Sequence, residues 1–105
     1  MKVELVYEKS CPNVDAAREQ LRKAFDKLDK VPVWQEWEVS NPRAPEYVRN
    51  YGSPTILVNE QDVSGQAACN SGNNCRVYDG DSGNLSVVPS LAKIVTALAE
   101  QVYSR

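Results

Sequence analysis

The chain has no histidine in its 105 residues. That absence excludes Ser-His and Cys-His nucleophilic catalysis, histidine-ligated zinc and a histidine pH switch together. Any acid–base chemistry has to come from carboxylates, Lys, Tyr or thiols. A long apolar run is also missing, since nothing approaches the roughly 20 residues of a membrane span. The first residues, Met1-Lys2-Val3-Glu4-Leu5-Val6-Tyr7-Glu8, are broken by two glutamates and do not read as a signal peptide, so a cytoplasmic protein is expected. An excess of positive charge is absent as well. Twelve Lys and Arg against 14 Asp and Glu give a formal net charge of −2, which argues against nucleic acid or an anionic membrane as partner. Cysteine is sparse: the three are Cys11, Cys69 and Cys75. An odd number in a cytosolic setting does not suggest a disulfide framework, and leaves reactive, metal-binding or inert thiols open.

What is present is one domain's worth of chain, residues 1–105, with a globular composition of 42% hydrophobic and 25% charged residues. A mostly buried strand is expected over residues 2–7. Val14, Ala17, Leu21, Ala24, Phe25 and Leu28 recur at three- and four-residue steps, with Arg18, Glu19, Arg22, Lys23 and Asp26 on the other face. The spacing predicts an amphipathic helix over about residues 12–28, with Pro12 at its first position. Residues 33–39 read as a second strand with Val33, Trp37 and Val39 on one face. Ser40-Asn41-Pro42 is expected to cap a short helix that Gly52 ends. A β-branched strand follows over 53–58, then a turn over Asn59-Glu60-Gln61-Asp62 and a returning strand at Val63-Ser64. Residues 65–88 read as a long loop rich in Gly, Asn and Ser, with weak strand signal at Val77-Tyr78; loops of that length are usually functional or mobile. A closing helix from Pro89 or Ser90 carries Leu91, Ile94, Val95, Leu98 and Val102.

This order is βαβ followed by ββα. With a cysteine at the mouth of the first helix (Ser10-Cys11-Pro12-Asn13) and a Ser53-Pro54-Thr55 tripeptide opening the third strand, it resembles the thioredoxin-like superfamily. The segments Val3–Tyr7 before Cys11-Pro12-Asn13, Gly52-Ser53-Pro54-Thr55, Asp62-Val63 and Cys75-Arg76-Val77-Tyr78 are similar to those of a small bacterial thioredoxin-like family. Its members are described as thioredoxin-family proteins, as (seleno)proteins, or loosely as alkylmercury-lyase-like. The resemblance implies an α/β thioredoxin-like fold with a four-stranded mixed sheet flanked by helices. It also implies a cis bond before Pro54 and a reactive thiol at Cys11, but it does not supply a substrate. The chain departs from thioredoxin proper at Val14, where the second thiol of a Cys-x-x-Cys pair would fall.

Cysteine attacks as the thiolate, and a helix N-terminus favours that form. Cys11 is therefore expected to be reactive and solvent-accessible; the alternative is a buried inert thiol. In the implied topology the loop over 65–88 starts at the same end of the sheet as Cys11, which leaves room for a distant thiol in place of the missing local one. The resemblance favours Cys75 over Cys69 for that role, with a Cys69–Cys75 bridge as the rival. Ser53, Pro54, Thr55, Arg76 and Tyr78 are the expected substrate-binding residues: backbone groups at the proline turn, an anion or thiolate contact from Arg76, a hydrogen bond from Tyr78. No cofactor is called for. Cys69-x5-Cys75 is poor zinc spacing, although two thiolates suffice for a soft ion. Three functions stand: thiol–disulfide redox chemistry on a small thiol or protein disulfide, binding of a thiophilic metal or organomercurial, and a non-catalytic adaptor. Asp15 is expected to complement the helix dipole, Trp34 and Trp37 to pack, and residues 79–84 to form a polar turn rather than a calcium loop.

Overall fold

The computed structural model describes residues 2–9, 11–64, 78–79 and 85–103. β1 (Val3–Tyr7) leads into α1 (Val14–Lys27) and β2 (Gln35–Glu38). A short 3₁₀ helix (Glu46–Asn50) precedes β3 (Thr55–Val58) and β4 (Gln61–Asp62). β5 (Tyr78–Asp79), β6 (Leu85–Ser86) and α2 (Leu91–Tyr103) complete the described elements. Four strands form a mixed sheet in the order β2-β1-β3-β4, and β5 pairs β6 in a separate ribbon. β1 runs parallel to β2 and antiparallel to β3; β3 and β4 are antiparallel.

The sheet is covered on both faces, and alternate residues of β1 go opposite ways. Val3 and Leu5, with Ile56 and Val58 of β3, meet the apolar stripe of α1 and the α2 residues Ile94 and Leu98. Leu5, Leu21, Ile56, Ile94 and Leu98 are fully buried; such side chains contribute roughly 1.5–3 kcal/mol each. On the opposite face Val6 and Leu57 pack against Ala44 and Val48, with Trp37, Val39, Tyr47 and Tyr51 around them.

Several boundaries differ from the sequence expectation. α1 starts at Val14, with Asn13 in the N-cap position and its carbonyl accepting from the Ala17 N–H at 3.1 Å, so Pro12 stands before the helix. At the other end Asp29 takes φ 56°, and the N–H groups of Asp29 and Lys30 bond to the carbonyls of Asp26 and Phe25, both at 3.0 Å. This double bond pattern closes the helix as a Schellman motif. Val33 is exposed because it lies ahead of β2, whereas Trp34 stacks on Phe25 with ring centroids 6.2 Å apart. The short helix is 3₁₀ and its N-cap is Pro45. Ser40 and Asn41 do not cap it: the Ser40 hydroxyl bonds to Glu38, and Asn41 Oδ1 accepts from the Arg43 N–H at 2.9 Å.

The β3–β4 turn is tighter than expected. Asn59 and Glu60 both have positive φ, 51° and 68°, and form a two-residue hairpin loop between Val58 and Gln61. Such a loop matches the twist of the flanking strands. Gln61–Asp62 are therefore strand rather than turn. The β5–β6 ribbon lies within the stretch read as a long loop with weak strand signal at Val77-Tyr78, and Asp79, expected in a polar turn, belongs to β5. At the last helix Ser90 Oγ accepts from the Lys93 N–H at 3.1 Å, a side-chain N-cap. Gln20 Nε2 donates to the Pro89 carbonyl at 3.1 Å and ties α1 to that start.

Candidate functional site

β1 ends at Tyr7, and the chain turns so that the Cys11 N–H donates to the Glu8 carbonyl at 3.0 Å. Cys11 is half-buried, its side chain against the larger core. It precedes the first helical residue by three positions, just ahead of the first turn, and the favourable field of a helix N-terminus falls off over that distance.

The Ser53–Pro54 peptide bond is cis. Gly52, Ser53, Pro54 and Thr55 are buried, and Thr55 Oγ1 donates to the Gly52 carbonyl at 2.7 Å. Val6 lies opposite Thr55 in the β1–β3 pairing, and continuing that register sets Glu8 opposite Ser53. The Glu8 N–H donates to Ser53 Oγ at 2.9 Å. The turn bearing Cys11 and the proline turn are thus bonded together at one end of the sheet. β4 returns toward the same end: the Val63 N–H donates to the Ile56 carbonyl at 3.0 Å. The same register places Ser64 opposite Thr55. Beyond Ser64, Cys69, Cys75 and Arg76 lie outside the described residues, as does the side chain of Tyr78, whose backbone belongs to β5. The expected thiol pairings and the roles of Arg76 and Tyr78 lie with them.

A cleft of about 280 Å³ opens beside Cys11, walled by Tyr7, Lys9, Asp15 and Arg18 among others. Its organising residue is Arg18, which sequence reasoning assigned only to the solvent face of α1. Arg18 Nε and Nη2 donate to both oxygens of Glu36 at 2.9 and 2.8 Å. Nη1 donates to Asp15 at 2.7 Å, and the guanidinium lies 5.8 Å from the Tyr7 ring centre. Trp34 Nε1 adds a 3.0 Å bond to Glu36. The Glu36 carboxyl is held below the usual carboxylate range, chiefly by Arg18, against the opposing effect of burial and with help from Trp34. The i,i+3 spacing of Asp15 and Arg18 was visible in the sequence; the partnership with Glu36, from a strand 18 residues away, was not.

A second polar cluster lies under the 3₁₀ helix. Glu4 is fully buried in β1. Its Oε2 accepts from Trp37 Nε1 at 2.8 Å and from the Tyr47 hydroxyl at 2.5 Å, with Lys2 Nζ at 3.9 Å, while Oε1 has no hydrogen-bond partner. Burial first, and then the bond to Glu4, push the Tyr47 phenol above its ordinary value. Trp37 also packs against the smaller core, as expected.

A larger groove of about 350 Å³ runs between β4 and α2, past Val63, Lys93 and Thr96. None of the described residues that line it is a cysteine. Among the described residues no group of three His, Cys, Asp or Glu is placed to hold a metal ion, and no helix is long and apolar enough to cross a membrane. Comparison with family models, with curated proteins and with solved structures finds no match.

Proposed function

We propose that the chain is a thioredoxin-like thiol protein that exchanges disulfides through Cys11, with Cys75 as the distant resolving thiol. The observation that carries this reading is the bond from the Glu8 N–H to Ser53 Oγ, which holds the Cys11 turn against the Ser53–Pro54 turn. The parallel β1–α1–β2 unit followed by antiparallel β3–β4 and α2 supports the fold assignment. The Cys11 thiolate attacks one sulfur of a substrate disulfide, forming a mixed disulfide and expelling the other half as a thiolate. The Cys75 thiolate then attacks the Cys11 sulfur. The second substrate half leaves as a thiolate, and the chain keeps an intramolecular disulfide. Two electrons pass from the dithiol to the substrate. The main chain of Ser53 and Thr55 is the surface against which a small thiol or an extended peptide rests.

Mass spectrometry after mixing with 2-hydroxyethyl disulfide tests this. The unmodified chain proceeds to a Cys11–Cys75 bridge, and Cys75→Ser stops at a mixed disulfide on Cys11. A Cys11 that exchanges no faster at neutral pH than a free cysteine overturns the proposal. Titration with Hg(II) that gives a thiolate–metal absorption band in a chain inert to disulfides points instead to metal handling.

A further inference from the structure

The guanidinium of Arg18 is fixed on two sides. Nε and Nη2 are taken by Glu36, and the flat face lies near Tyr7. Glu36 is itself steadied by Trp34. Glu36 and Trp34 are not part of the cleft wall beside Cys11; Arg18 and Asp15 are. The one nitrogen whose partner stands in that wall is Nη1, and its partner is Asp15, whose side chain is 90% exposed. A pair so open to water is weak and easily exchanged. Glu36 therefore orients the fork while Asp15 occupies its free prong loosely. Lys9 adds a second positive charge to the same wall. At about 280 Å³ the cleft is just under the roughly 300–1,000 Å³ of ordinary ligand sites, a size that suits half of a small disulfide.

We infer that this cleft selects disulfides whose departing or retained half carries a carboxylate, which displaces Asp15 from Arg18 Nη1 while Cys11 attacks the sulfur. The inference rests on the thiol reading above and names its substrate class. The step is the exchange already written: one S–S bond forms at Cys11, one breaks in the substrate, and the expelled thiolate carries the electron pair. Arg18 changes neither protonation nor oxidation state. It contributes a charge-assisted hydrogen bond of fixed direction.

The test compares three probes on a chain carrying Cys69→Ser and Cys75→Ser, so that adducts form at Cys11. The probes are 3,3′-dithiodipropionate (dianionic), 2-hydroxyethyl disulfide (neutral) and cystamine (dicationic). Rates are followed by mass and divided by those of N-acetylcysteine amide, which removes intrinsic probe reactivity. The expected result is a preference of about three- to tenfold for the dianion over the neutral probe, with cystamine slowest. Arg18→Gln abolishes the preference: on that variant the dianionic probe reacts no faster than the neutral one. Asp15→Asn raises the dianion rate about two- to threefold, whereas Glu19→Gln, the same loss of charge one turn along the helix, changes it less. An absent preference, or one that survives Arg18→Gln, overturns the inference. If Arg18→Gln does not fold, Asp15→Asn decides: no gain over Glu19→Gln overturns it. A neutral probe reacting no faster than the reference thiol marks failure of the thiol reading itself, a separate result.

Discussion

The Glu8 N–H reaches across the sheet end to Ser53 Oγ at 2.9 Å, and this bond joins the turn that presents Cys11 to the Ser53–Pro54 turn. Ser53 is fully buried, so its hydroxyl has no water to share. Ser53→Ala removes the acceptor and leaves a part-buried N–H unmatched, a loss of about 1–3 kcal/mol in urea denaturation. Ser53→Cys, which keeps the size and a weak acceptor, recovers part of it. An Ala variant as stable as the parent would show that the two turns are held by something else.

Glu60 sits at φ 68°, a left-handed conformation that costs a residue with a Cβ roughly 1–2 kcal/mol. Its ion pair with Lys2, at 3.1 Å, is exposed on both sides and adds little. Glu60→Gly should therefore stabilise the domain by about 0.5–1 kcal/mol, read as a rise in melting temperature. A fall would mean that the Lys2 pair outweighs the backbone term.

Glu36 gives the fold an acid limb. Its carboxyl titrates lower in the native state than in the unfolded chain, first because of Arg18. The stability it adds is in place above the unfolded carboxylate value, near pH 4–5, and drains as pH falls through the lower native value. Glu36→Gln should lower stability at pH 7 by about 1 kcal/mol or more and flatten the decline below pH 5. Stability curves measured from pH 7 to pH 2 check both parts; parallel curves for the two chains would refute the linkage.

Tyr47 gives an alkaline limb of opposite sign. Its phenol titrates higher in the folded chain than in the unfolded one, so its contribution is intact below about pH 10 and is lost as pH rises past that. Tyr47→Phe strips one donor from a buried carboxylate and should cost about 1.5–3 kcal/mol at neutral pH. The variant should also show a shallower loss of stability between pH 9 and 11. Unchanged stability would place the Tyr47 hydroxyl away from Glu4 in solution.

Periodicity made the larger core legible. Val14, Ala17, Leu21, Ala24 and Phe25 are buried on α1, as are Ile94 and Leu98 on α2, because one helical stripe meets one sheet face. The smaller core was not legible. Glu4 alternates with Val3 and Leu5, and alternation in a strand reads as an outward polar residue; here a 3₁₀ helix covers that face and the carboxylate is enclosed. Val33 shows the converse: apolar and in phase with Trp37, yet exposed, since pairing with β1 begins at Gln35. At the candidate site the sequence brought Cys11 and Ser53–Pro54 to notice through local motifs. It passed over Arg18 because an arginine on a polar helix face looks the same whether it meets water or a strand glutamate. The difference lies in tertiary pairing, which no window along the chain contains.

Glu4 also acts on the assembly of the sheet. Side chains on a strand swap faces when the pairing slips by one residue. A slip of β1 would carry this carboxylate in among Leu21, Phe25 and Ile94, away from Trp37 and Tyr47, with nothing there to receive it. Misaligned pairings of the first strand are thereby penalised once α1 and α2 cover that face, so a residue remote from the thiol helps decide that Cys11 stands opposite the correct turn.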